Sequence, residues 1–239
     1  MKAFILVGGS GSRLYPITYY IPKPLIPVNG KPIITYIIEH LKQVPADEYI
    51  LCCSQDTAKD FKFYLDNGSR FGVNISYSVG PKSLATSGRV TYAREYVDDT
   101  FIVYYGDIIT DFDIADMMRF HREKKAAATI ALCTSHAISV GLANTQPDGK
   151  LLSFAEKPVL ANFQVSMGVY IFEPVILDYC RQDRDVASHV IPAMMADGQP
   201  VFGYVTDRKF WDIGTLSALD EVRSMFKNAE EEGAANGVA

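Results

Sequence analysis

Short apolar runs alternate with helical periodicity through the first half of this chain. That alternation restricts the fold more than any other feature. Lys2 to Val7 is a strand-like run ending at Gly8-Gly9, Glu48 to Cys53 is a second, Val73 to Val79 a third, and Phe101 to Tyr105 a fourth that stops at Gly106-Asp107. Runs of this length between turn signals read as buried strands. Behind Pro32, a residue tolerated in a first helical turn, Ile33, Ile34, Ile37, Ile38 and Leu41 recur at helical spacing. Phe61 and Leu65 mark a second helix, which Asp56 can cap and Asn67-Gly68 ends. Thr86 to Tyr96 reads as a third. Strand and helix in this order predict a three-layer α/β/α architecture with a mostly parallel sheet.

The pattern changes after about residue 125. Ala126 to Cys133, Ile138 to Ala143, Leu151 to Phe154 and Gln164 to Phe172 are strand-like, with Pro147-Asp148-Gly149 as a turn between two of them. Helices are expected at Pro174 to Cys180 and Val186 to Met195, a strand at Val201 to Val205 and a last helix at Thr215 to Lys227. The remainder, 229–239, lacks periodicity and reads as a frayed tail. No repeat or linker divides the chain, so residues 1–228 are expected to form one domain.

Composition narrows the partners. The 239 residues carry 23 basic and 28 acidic side chains, a net charge of −5. That balance offers no broad basic face for nucleic acid, though it leaves room for a local cationic pocket. No apolar run approaches the ~18 residues of a membrane helix. The four cysteines, Cys52, Cys53, Cys133 and Cys180, form no CxxC pair. A reduced, cytoplasmic protein with free thiols is the expectation. The four histidines show no metal spacing, and His40 and His121 read as helix residues without function.

The chemistry is concentrated near the start. Gly8-Gly9-Ser10-Gly11-Ser12-Arg13-Leu14 follows directly on the first strand. Glycines let a backbone turn tightly and bring its N–H groups to an anion. It is not a Walker loop, which needs Gly-Lys-Ser/Thr. Nor is it a dinucleotide fingerprint, which needs a glycine where Leu14 stands. Farther on, Ile21-Pro22-Lys23-Pro24-Leu25-Ile26-Pro27 sets a lysine on a stiff, extended backbone, so its ammonium is aimed.

Together Gly8-Gly9-x-Gly11-x-Arg13-Leu14-x-Pro16 and Pro22-Lys23-Pro24-Leu25-x-Pro27 resemble the signature of the sugar-1-phosphate nucleotidyltransferases, the NDP-sugar pyrophosphorylases. Later landmarks follow in that family's order: Gly106-Asp107, Gly141, Glu156-Lys157-Pro158, Gly168 and Trp211-Asp212-Ile213-Gly214-Thr215. The resemblance covers residues 2 to about 225. It implies the nucleotide-diphospho-sugar transferase fold, Rossmann-like, with a nucleotide half at about 1–125 and a sugar half at about 126–228. Leu6-Val7-Gly8-Gly9 and Tyr170-Ile171-Phe172 look slightly closer to mannose-1-phosphate guanylyltransferases. Glucose-1-phosphate uridylyl- and thymidylyltransferases follow closely.

The resemblance also implies roles. Leu6, Gly8, Gly9, Gly11, Thr86 and Gly88 would contact the nucleotide, and Arg13 and Lys23 would neutralise its phosphates. Asp107, Gly141, Glu156, Lys157 and Gly168 would hold the sugar phosphate, with Lys157 orienting the nucleophile. Asp107 and Asp212 would hold Mg²⁺. The substrates would be an NTP and a hexose 1-phosphate. Departures occur at Leu84-Ala85-Thr86-Ser87-Gly88, where the family usually has Leu-Gly-Thr-Ala-Gly, and at Gly80 and Ser166. They leave base and sugar open. They also motivate a catalytically silent, nucleotide-sugar-binding regulatory subunit as an alternative. A glycosyltransferase of related fold is another; its Asp-x-Asp motif would be Asp111-Phe112-Asp113, which we read as a helix start.

Overall fold

The structure, a computed structural model, describes residues 1–134, 136–137, 141–156, 159–160 and 163–236. Seven strands form the central sheet: β1 (Lys2–Leu6), β2 (Glu48–Ser54), β3 (Ile75–Gly80), β4 (Phe101–Tyr105), β5 (Ala128–Cys133), β6 (Val165–Phe172) and β7 (Val201–Thr206). Their spatial order is β7-β5-β6-β4-β1-β2-β3. All run parallel except β6, which is antiparallel to both neighbours. The expected mostly parallel mixed sheet is therefore present.

Alternation along β1 assigns its two faces. Ala3 and Ile5 point into one core with Ile33, Ile37, Phe61, Met117 and Leu219. Phe4 and Leu6 point into the other with Val90, Ile191 and Met194. The first face is covered by α1 (Ile33–Leu41), α2 (Ala58–Leu65), α4 (Ile114–Lys124) and α6 (Leu216–Asn236). The second is covered by α3 (Thr86–Tyr92) and α5 (Ile191–Ala196). Two cores either side of one sheet are the three layers expected. Cys52 and Cys53 are buried, one in each core, and all four cysteines are free.

Several expectations are revised in detail. Thr86 to Tyr96 is two pieces, α3 and a single turn at Arg94–Tyr96. Asp56 does not cap α2, whose N-cap is Thr57; its carboxylate pairs with Lys82 at 2.9 Å. Val186 to Met195 opens as a wide π turn, Val186–Val190, before α5 begins. The strand expected at Ile138 to Ala143 falls partly outside the described residues. What is described are short ribbons, His136–Ala137 with Val159–Leu160 and Leu142–Thr145 with Leu151–Ala155. The last helix passes its expected end at Lys227 and continues to Asn236. Alanine and glutamate there favour helix without any apolar stripe.

Asp111-Phe112-Asp113 is a helix start. The Asp113 side chain accepts the Asp116 N–H at 2.8 Å and Phe112 is buried. Asp111 lies 3.8 Å from Arg208.

The two helical histidines lie in the core. His40 bridges the Tyr104 hydroxyl at 3.1 Å and the Phe112 carbonyl at 2.7 Å. Burial pulls its pKa below the ordinary 6.5, against the opposing pull of the Phe112 carbonyl and the Asp111 and Asp113 charges. The unfolded chain therefore binds this proton more readily than the folded one. The contribution is whole above about pH 6.5 and declines as pH falls below it. We expect His40→Gln to flatten the loss of denaturant stability between about pH 6.5 and pH 5. Equal losses in both proteins would assign the acid sensitivity elsewhere.

Candidate active site

The C-terminal ends of parallel strands are where an open α/β sheet presents its loops to ligands. Here β1 delivers the Gly8–Ser12 loop and β4 delivers Gly106-Asp107 side by side, tied by the Gly106 N–H on the Leu6 carbonyl at 3.0 Å. A cavity of about 250 Å³ opens between them, lined by Leu6, Val7, Gly9 to Arg13, Lys23, Pro24, Gly106, Asp107 and Gly214. Among the described residues, no protein group accepts a hydrogen bond from the backbone N–H of Gly9, Ser10, Gly11 or Ser12. Four consecutive unclaimed donors beside a cavity are of the kind that can receive an anion. Gly11 makes the bend with φ +62°, a conformation that glycine adopts without strain.

A short ribbon not foreseen from the sequence supplies the opposite wall. Phe210–Asp212 pairs antiparallel with Ile108–Thr110, and the Ile213 N–H reaches the Asp107 carbonyl at 3.0 Å. Asp212 thereby lands beside Asp107. Lys23 Nζ donates to Asp107 Oδ2 at 2.6 Å and lies 3.8 Å from Asp212 Oδ1. Its side chain is 10% exposed. Arg13 comes to the same place. A Cβ added to Gly214 would stand 3.1 Å from Asp212 Oδ1 and 3.2 Å from Arg13 Nη2. Two cations, two carboxylates and a row of N–H groups thus converge from four segments distant in sequence.

The acid pair also answers whether a metal fits. Both carboxylates reach one ammonium, so both point at one position. Among the described residues no group of three or more His, Cys, Asp or Glu is arranged to hold a metal. Mg²⁺ needs no such cage, because it is held by one or two carboxylates with water and phosphate oxygens completing its shell. Asp107 and Asp212 therefore fit a hard divalent ion bound together with a polyphosphate.

The other sequence candidates divide. Gly141 and Glu156 meet across the ribbon that pairs Leu142 with Ala155; a Cβ on Gly141 would stand 2.9 Å from Glu156 Oε2. Neither lines the cavity at Asp107. Lys157 and Pro158 lie outside the described residues. Gly168 sits at the irregularity in β6 with φ +70°, and the space beside it is filled by Tyr105 and Ile108. Thr86 and Gly88 tie α3 to the 181–186 segment. Thr86 Oγ1 donates to Asp185 at 2.6 Å and accepts from the Val186 N–H, while a Cβ on Gly88 would stand 2.2 Å from the Gln182 carbonyl oxygen. The room at Gly8 is taken by Arg89, whose Cζ would lie 1.9 Å from a Cβ there. Sequence reasoning gave no role to Arg89, because a lone arginine in a helix carries no signal of what its end will touch.

A mostly parallel sheet thus carries a glycine-rich loop, an arginine–lysine pair and two convergent acids at one cavity, an arrangement suited to an anionic ligand. The comparisons name the class: residues 2–229 match the model of the nucleotidyl transferase family, and the chain belongs to that family. A UTP–glucose-1-phosphate uridylyltransferase of Synechocystis is 36% identical over 90% of this chain and 61% of its own length. A mannose-1-phosphate guanylyltransferase of Mycobacterium tuberculosis is 33% identical with the same coverages. The chain thus spans about 61% of the length of these two curated relatives. Among solved structures, a putative glucose-1-phosphate thymidylyltransferase of Bacillus anthracis superposes with a TM-score of 0.76 at 25% identity, over 94% of each chain. The fold is that of the nucleotide-diphospho-sugar transferases, as expected. Among the described residues, no helix is long and apolar enough to cross a membrane.

Proposed function

We propose that this protein joins an NTP and a hexose 1-phosphate into an NDP-sugar and pyrophosphate. The observation that carries the reading is the row of unclaimed N–H groups on Gly9 to Ser12, residues that line one cavity with Arg13 and Lys23. A charge pattern of that kind suits the β- and γ-phosphates of a nucleotide. The relatives act, by their names, on glucose 1-phosphate with UTP or on mannose 1-phosphate and a guanylyl donor, and these pairs are the first substrates to test.

In the proposed reaction an oxygen of the sugar phosphate forms a bond to the α-phosphorus. The bond from that phosphorus to the oxygen bridging the β-phosphate breaks, and both its electrons leave with pyrophosphate. The nucleophile is already an anion, so no strong base is required. The obstacle is holding two anionic molecules in line, which calls for cationic positioning. Arg13 and Lys23 would balance the charge that grows on the leaving pyrophosphate. Lys157, Glu156 and Gly141 would hold the sugar phosphate and the sugar. Asp107 and Asp212 would hold Mg²⁺, which supplies charge stabilisation to the phosphates. Of the two acids needed for the glycosyltransferase alternative, Asp113 caps α4 and Asp111 lies 3.8 Å from Arg208.

The test is pyrophosphate release from a panel of the common NTPs against glucose, mannose and N-acetylglucosamine 1-phosphates, each with Mg²⁺. One pairing is expected to stand well above the rest. Nucleotide binding without pyrophosphate release from any pairing would support the silent regulatory subunit instead.

A further inference from the structure

Arg89, on α3, is 5% exposed, and its partners are unusual for a buried cation. Nη1 donates to the Cys53 carbonyl at 3.1 Å; Nη2 donates to the carbonyls of Gly8 at 2.8 Å, Lys82 at 3.3 Å and Pro81 at 3.5 Å. Those carbonyls come from the loop after β1, the end of β2 and the loop after β3. No carboxylate among the described residues pairs with the guanidinium. A buried charge left without a counter-ion is costly, and such a group ordinarily acquires an acid.

The Gly8 carbonyl gives this charge a direction. In a trans peptide the C=O and the following N–H point opposite ways. With the Gly8 oxygen held by Arg89, the Gly9 N–H is turned to the other side of the loop. Gly9 lines the cavity, Gly8 does not, and the Gly9 N–H is one of the unclaimed donors. A cation on the carbonyl polarises the peptide and strengthens its N–H as a donor. In a low-dielectric interior the unbalanced charge also reaches across the loop.

We propose that Arg89 is a positioning residue for the nucleotide's polyphosphate. It locks the Gly8–Gly9 peptide with its N–H facing the cavity and backs that loop with a positive charge that no protein acid cancels. This rests on the nucleotide-binding reading above and adds to it a residue outside the cavity. It also explains Gly8: any side chain there would collide with the guanidinium.

The test compares the wild-type protein with Arg89→Met and Arg89→Lys by direct binding of an NTP, the matching nucleoside and inorganic triphosphate, alongside thermal melts. Losing one charged hydrogen bond to the loop should weaken NTP and inorganic triphosphate by about tenfold or more in Arg89→Met. Nucleoside affinity should stay within about twofold. Arg89→Lys keeps the charge without the fork and should fall between them; should the methionine variant fail to fold, the lysine variant decides by the same comparison. Triphosphate affinity equal to wild type in a folded variant overturns the proposal. So does an equal loss for nucleoside and triphosphate, the mark of a merely structural role. A wild-type protein that binds none of the three would instead overturn the nucleotide reading itself.

Discussion

Asp107→Asn is expected to lower kcat/KM by about 10²–10³-fold, the typical cost of removing one positioned charge interaction at a reacting centre. The side chain is 32% exposed at the mouth of the cavity, and its backbone is held independently by the Ile213 N–H. An amide of nearly the same shape should leave the fold intact, so the melting transition should change little. What changes is the charge. Lys23 loses the carboxylate 2.6 Å away and keeps only Asp212 at 3.8 Å. Divalent-ion affinity in the presence of nucleotide should fall along with turnover. Near-wild-type turnover in this variant would remove Asp107 from the metal pair.

Lys23→Met separates two roles that the geometry places on one side chain. In the structure the ammonium sits against both acids rather than in open solvent. It therefore holds the position that a divalent ion would need. Removing it should cost about 10²–10³ in turnover, since the pyrophosphate would lose a cation. In the absence of nucleotide the same change should raise affinity for Mg²⁺ or Mn²⁺ by about tenfold or more, because two adjacent carboxylates then lose the ammonium that both reach. Titration of the metal into nucleotide-free protein reads this directly. Metal affinity unchanged by the substitution would show that the ammonium and the ion do not compete.

These opposed effects reflect how unevenly the site was legible. Parallel strands are continuous apolar runs, and the four at Lys2, Glu48, Val73 and Phe101 could be read because both faces of that sheet are buried. The glycine-rich loop was legible for a similar reason, since glycine announces backbone geometry locally; the extended backbone expected at Lys23 is instead a turn of 3-10 helix, Lys23–Leu25, because prolines on either side of the lysine also suit a tight turn. The ribbon that carries Asp212 to Asp107 was not. Phe210 to Asp212 is too short for periodicity, and its partner lies about a hundred residues back. Lys23's contact with Asp107 and Asp212 was equally hidden, because an aimed side chain does not reveal its target. Arg89 was the most concealed, since all its partners are main-chain oxygens, which any residue could supply.

The pairing of Phe210–Asp212 with Ile108–Thr110 has a consequence during synthesis. The amino-terminal strands and the anion loop leave the ribosome early, yet the second acid follows more than a hundred residues behind the first. A nascent chain can assemble most of the cavity's lining while lacking the residue that completes the charge arrangement. The complete arrangement would then arrive abruptly, when that late strand docks, and not in proportion to how much of the sheet has formed.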